Sequence, residues 1–126
     1  MALSSPIVLQ AASTLAIIGT VGLFAVFLSI TAHIAARNVL GDVSVIKAFG
    51  VGPIPAVISV VAQALGVPAV VSLPLAIVAD GAAINYFYGE SRRITAYITV
   101  IHIVVTIIIG TVLFGILTIA MTAPGG

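Results

Sequence analysis

The sequence predicts an all-α integral membrane protein: four transmembrane helices, short loops, both termini outside, and helices 2 and 3 bent by proline. Three observations predict it. Of 126 residues, 62% are hydrophobic and 6% charged, with a mean hydropathy of +1.41, whereas a soluble domain carries roughly a quarter charged residues. Six of the charged residues fall in two clusters, Arg37, Asp42 and Lys47 in one and Glu90, Arg92 and Arg93 in the other. Long apolar runs lie between and beyond them, further divided by Gly52-Pro53 and by Gly66-Val67-Pro68.

Composition also excludes whole classes of function. With no cysteine, there is no disulfide, thiolate metal site or cysteine nucleophile. A formal net charge of +1 from four dispersed basic residues is no nucleic-acid footprint. The length fits a single domain covering residues 1–126.

The first span is expected over residues 6–36. The opening MALSSPIVLQ has no basic n-region, and the apolar run behind it is too long for a signal-peptide core. That run is therefore expected to stay as an anchor. At about 30 residues it exceeds the bilayer core and should tilt or protrude. One stripe, Ala12, Leu15, Gly19, Gly22, Val26, Ser29, His33 and Ala36, is mostly small, the kind of face that lets helix backbones approach closely in lipid. Ile17, Leu23, Phe24, Phe27 and Ile30 lie on the other faces and are expected to meet lipid.

Residues 37–47 form a charged loop, and Val43, Val45, Ile46 and Phe49 give its end an amphipathic character that suits the membrane interface. Pro53 and Pro55 lack amide donors, so a regular helix interior is not expected there. The second span then covers residues 54–65, about 18 Å of helix, either as a half-span or with an extension back to residue 45. Gly66 and Pro68 turn the chain.

The third span, residues 68–88, is expected to kink at Pro74 and ends in Asn85, Tyr86 and Tyr88, which suit the headgroup level. Ser91 is the expected cap of the fourth span, residues 92–121, which Pro124 stops. One narrow face of that span carries Thr95, Thr99, His102, Thr106 and Gly110, a polar stripe on an otherwise apolar helix. It should face other helices. All four basic residues lie in the first and third loops, so the positive-inside rule puts those loops in the cytoplasm.

Two stretches, RNVLGDV at residues 37–43 and AIVAD at residues 76–80, resemble small uncharacterised four-span membrane proteins of halophilic archaea. The resemblance implies a four-span fold and no activity.

Asp80 stands alone within an apolar run, and an acid inside a span costs about 2.5 kcal/mol or more unless it finds a partner, a proton or water. It lies ten residues before Glu90, and His102 nine after Arg93, so both sit roughly 14 Å in from the charged loop at 1.5 Å per residue. Antiparallel neighbouring spans make an Asp80–His102 contact available. That pair either fixes helix packing or accepts protons, and intramembrane Asp and His do both. His33 lies only about 6 Å from its polar boundary by the same arithmetic. A haem held by His33 and His102 would need both rings at one depth. A metal on His33, Asp80 and His102 has no supporting ligand spacing.

The leading expectation is a non-catalytic structural or accessory subunit of a homo- or hetero-oligomeric complex in the cell membrane. Its partners would be the bilayer and itself or other membrane subunits. No cofactor is expected. The alternative is a small proton- or ion-conducting or transporting oligomer built on Asp80 and His102.

Overall fold

A computed structural model describes residues 6–123, with side chains from residue 13 onward. The expected stop at Pro124 and the Ala12 side chain lie outside the described residues. The chain forms α1 (Pro6–Leu40), α2 (Val45–Val51), α3 (Pro53–Ala64), α4 (Ala69–Tyr88) and α5 (Arg92–Thr122). By length and apolarity, four helical stretches could cross a membrane, α2 and α3 counting as one from Val45 to Ala64.

Local chemistry sets the ends. Gly41, Gly66 and Gly89 adopt φ of +83°, +73° and +66°, the left-handed region in which a side chain is strained. The Gly89 amide donates to Asn85 O at 2.9 Å, and Ser91 Oγ accepts from the Ile94 amide at 3.2 Å. One glycine thus stops α4 and one serine starts α5. Asn85 Nδ2 ties the turn together, donating to Glu90 O at 2.8 Å and to Thr95 Oγ1 at 3.0 Å.

The helical path from Val45 to Ala64 is continuous. Gly52 keeps helical angles, φ −56° and ψ −41°, and its amide donates to Ala48 O at 3.0 Å. Pro53 and Pro55 leave Phe49 O and Val51 O without amide donors, yet their fixed φ suits a helix, so the path carries on with missing rungs. The helical stretch thus extends back to residue 45. The segment after Val43 is amphipathic as expected: Ala48 and Val51 are fully buried where α2 packs on α1 and α4, while Val45, Ile46 and Phe49 are exposed. α4 likewise runs unbroken through Pro74.

Around the bundle, α1 neighbours α3 and α5, and α4 neighbours the same two. Sequential antiparallel helices therefore close into a ring. The contiguous core lies in one half, where Ala32, Ala35, Ala36, Ala48, Val51, Ala83, Ile84, Tyr88 and Ile98 cluster toward the charged loops; further along, isolated residues such as Ala62 and Ala76 are buried. In the core half the backbones nearly touch. A Cβ on Gly52 would lie 2.7 Å from Ala25 O and closer still to Ser29. In the other half the helices are mostly exposed: from Ile107 to Thr122 only Ile109, Gly110 and Gly115 are partly covered.

Two placements on α1 differ from the sequence expectation. Phe24 and Phe27 are half-buried instead of outward-facing, and Phe27 packs against Gly110, within 3.5 Å of where its Cβ would be. Gly19 and Gly22, on the expected packing stripe, have nothing within 4 Å of a built Cβ. The stripe is engaged only where the core exists.

Candidate functional site

Asp80 and His102 meet midway along the bundle, 4% and 2% exposed. On α4, Ala76, Ala83 and Ile84 share the buried face with Asp80, because residues three and four apart lie together on a helix. On α5, Thr95 and Ile98 do the same for His102. Next to Asp80, Gly81 lets the two helices approach, its built Cβ lying 3.4 Å from Thr99 Oγ1. This closeness brings His102 Nδ1 to 2.6 Å from Asp80 Oδ2.

The other ring nitrogen fixes the proton inventory. His102 Nε2 lies 3.0 Å from Leu28 O and 2.9 Å from Thr31 Oγ1. A backbone carbonyl only accepts, so Nε2 carries a proton and donates it there. Thr31 Oγ1 itself donates to Leu28 O at 3.1 Å and accepts from Thr106 Oγ1 at 2.9 Å. With Nε2 protonated, the short Nδ1···Oδ2 contact needs one further proton between its atoms. Whichever atom holds that proton, the pair has no net charge. A neutral pair is the form a low-dielectric interior accommodates best.

The network thus joins α1, α4 and α5. Beside it lies a crevice of about 120 Å³, to which α1 gives Phe24 and Leu28, α3 gives Pro55 and Ser59, α4 gives Ala76 and Asp80, and α5 gives His102 and Thr106. Asp80 Oδ1 is buried and has no hydrogen-bond partner.

The remaining sequence candidates are distributed more widely. Thr95, Thr99, Thr106 and Gly110 are all buried or half-buried. Of these, only Thr106 joins the network; Thr99 Oγ1 bonds back to Thr95 O at 2.8 Å. Ser29 Oγ bonds to Ala25 O at 2.7 Å and lies against Gly52. His33 stays outside the cluster, and its Nδ1 is buried without a partner. Both His102 nitrogens are engaged within the chain, and His33 is not among their partners. Among the described residues, no group of three or more His, Asp or Glu is placed to hold a metal.

Thr31 and the Leu28 carbonyl were missed in the sequence. Thr31 lies off the small-residue stripe, and its only signal was a hydroxyl inside an apolar run. Ser59, in the crevice wall, carried no stronger mark.

No curated protein and no solved structure matches this chain significantly. A family model does match, over residues 11–124, nearly the whole chain, and the protein accordingly belongs to the family of unknown function DUF7473.

Proposed function

We propose that this protein is a non-catalytic subunit of an oligomeric membrane complex, crossing the bilayer four times with its charged loops in the cytoplasm. One observation carries the reading: the half of the bundle away from the charged loops has no contiguous core, its buried residues being isolated alanines such as Ala62. In that half a gap of about 350 Å³ separates α1 from α3, lined by Ser13, Ala16, Ile17, Thr20, Val60, Gln63 and Ala64. Lipid tails solvate large apolar side chains well, but small and hydroxyl-bearing faces favour another helix, which packs closely and offers hydrogen-bond partners. Gly19 and Gly22 lie along the same stretch of α1 and have open space above them. The half nearer the charged loops would hold the subunit together, and the outer half would receive partner helices.

Sizing in native detergent, with identification of copurifying chains, tests this. The expected result is a particle larger than one chain, which Ala16→Leu or Gly22→Leu dissociates while leaving the monomer helical. A partnerless monomer for the parent protein overturns the reading.

Proton or ion handling by Asp80 and His102 is a second reading, favoured by the unpartnered Asp80 Oδ1. Its polar chain runs from Asp80 through His102 and Thr31 to Thr106, and Asp80 and Thr106 line the same crevice. Such a chain stores a proton at one place instead of leading it across. In proteoliposomes, proton flux abolished by Asp80→Asn would support this reading; equal flux in mutant and parent rejects it.

A further inference from the structure

We infer that the crevice beside Asp80 is a binding site for a small, neutral, lipid-soluble molecule with an apolar body and one hydroxyl donor. The inference rests on the membrane placement proposed above, but not on the subunit role. Two independent observations point to a ligand. One is the cavity of about 120 Å³ itself, bordered by all four spans. The other is Asp80, a lining residue 4% exposed, with Oδ2 taken by His102 and Oδ1, buried just behind the crevice surface, left without a donor, so that an occupant reaches it by a small displacement of the wall. A buried acceptor without a partner is costly, which favours any occupant able to donate to it.

The walls select the body of that occupant. Phe24, Leu28, Pro55 and Ala76 are apolar. Leu73 and Ile77, also in the lining, are 59% and 41% exposed on the outer surface of α4, so the crevice opens sideways toward the acyl chains. What enters comes from the bilayer.

Charge selects the donor. Asp80 and His102 share one proton and are neutral together, so a cationic amine would bring an uncompensated charge into a low-dielectric site. An anion would meet the carboxyl oxygen unfavourably. A hydrocarbon fills the walls but leaves Oδ1 without a donor, and water alone satisfies Oδ1 while hydrating apolar walls. A neutral hydroxyl meets both requirements. Ser59 supplies a further hydroxyl in the same lining, able to donate to the ligand oxygen, whereas the Thr106 proton is already given to Thr31 Oγ1.

Cyclohexanol is a suitable probe, with methylcyclohexane and cyclohexylamine as controls. The full chain is placed in nanodiscs with its aspartates labelled with ¹³C at the side-chain carboxyl, the Asp80 signal being identified by its loss in Asp80→Asn. Cyclohexanol is expected to shift that signal saturably, whereas methylcyclohexane leaves it unmoved and cyclohexylamine binds more weakly. Ser59→Ala is expected to raise the half-saturating concentration about fivefold, the loss of roughly one hydrogen bond. Ala76→Leu should remove binding by filling the crevice; a ¹⁵N signal of His102 Nδ1 unchanged from the parent confirms that the pair is intact. Leu73→Phe, at the exposed mouth, blocks entry without touching the core.

An Asp80 signal that does not respond to cyclohexanol leaves water as the occupant and overturns the inference. So does an equal response to methylcyclohexane, or saturation unchanged in both Ala76→Leu and Leu73→Phe. A protein that labels as four spans yet ignores cyclohexanol would fail this inference alone and leave the membrane placement standing.

Discussion

At the scale of the residue, Asp80 and His102 illustrate how a chain with few polar groups makes each one satisfy several constraints. His102 uses both nitrogens, one on a side chain of α4 and one on a backbone carbonyl and hydroxyl of α1. Truncation and isosteric replacement should therefore differ. Asp80→Ala leaves the Nδ1 side of the ring without a partner and is expected to lower stability by about 3 kcal/mol, in the range for breaking a buried pair. Asp80→Asn keeps the shape and offers an amide donor to a neutral ring, so the loss should be near 1 kcal/mol. Thermal unfolding in one detergent compares the two, and equal losses would count against the shared-proton arrangement. Thr31→Val, which removes a hydroxyl but keeps the volume, should cost about 1 kcal/mol by the same measurement, as interhelical hydrogen bonds in membranes do. The pairing of Asp80 with His102 was legible in the sequence because both lie at similar distances from one tight turn. The contribution of Thr31 was not, since it depends on how α1 is rotated against α5.

At the scale of the element, the glycines separate into those that permit contact and those that meet nothing. Gly52 faces the backbone of α1 at Ser29 and Ala25, which cannot move without parting two helices. Gly52→Ala is expected to destabilise by about 3 kcal/mol, the upper part of the overpacking range. A Cβ on Gly50 would have the Phe87 ring as its nearest neighbour, at 2.6 Å, and a ring can rotate away. Gly50→Ala should therefore cost less than Gly52→Ala. Gly22→Ala has open space and should leave the stability of a single chain within about 0.5 kcal/mol. A rank order other than Gly52, Gly50, Gly22 in chemical or thermal unfolding would contradict these contacts. The sequence marked residues 50–55 as a break because two prolines remove donors. The structure shows a helix that tolerates the loss, since the residues around it are held from outside by α1 and α4. Cap residues, by contrast, were readable at once: Gly66, Gly89 and Ser91 act within a few residues of themselves.

At the scale of the molecule, the bundle is asymmetric along its length, tight near the charged loops and open at the far end. The arrangement of basic residues gives the proposed orientation a direct check. A cysteine introduced at Val67 should react with an impermeant thiol reagent from outside intact cells, and one at Ser91 should not; the native chain has no cysteine to interfere. Labelling of both positions from one side would remove the four-span topology.

The sequence by itself determined that the chain is helical, where its long apolar stretches begin and end, and which polar residues fall within them. Those properties follow from hydropathy, proline chemistry and local capping, all of which act over a few residues. The tertiary structure alone decided that α2 and α3 make one continuous helical stretch, that α1 supplies the third side of the Asp80–His102 network, and that only half of the small-residue stripe is used. Each depends on the rotation and separation of helices distant in sequence. In a chain apolar on nearly every face, hydropathy gives those rotations little guidance; close contacts such as Ser29 against Gly52 set them instead.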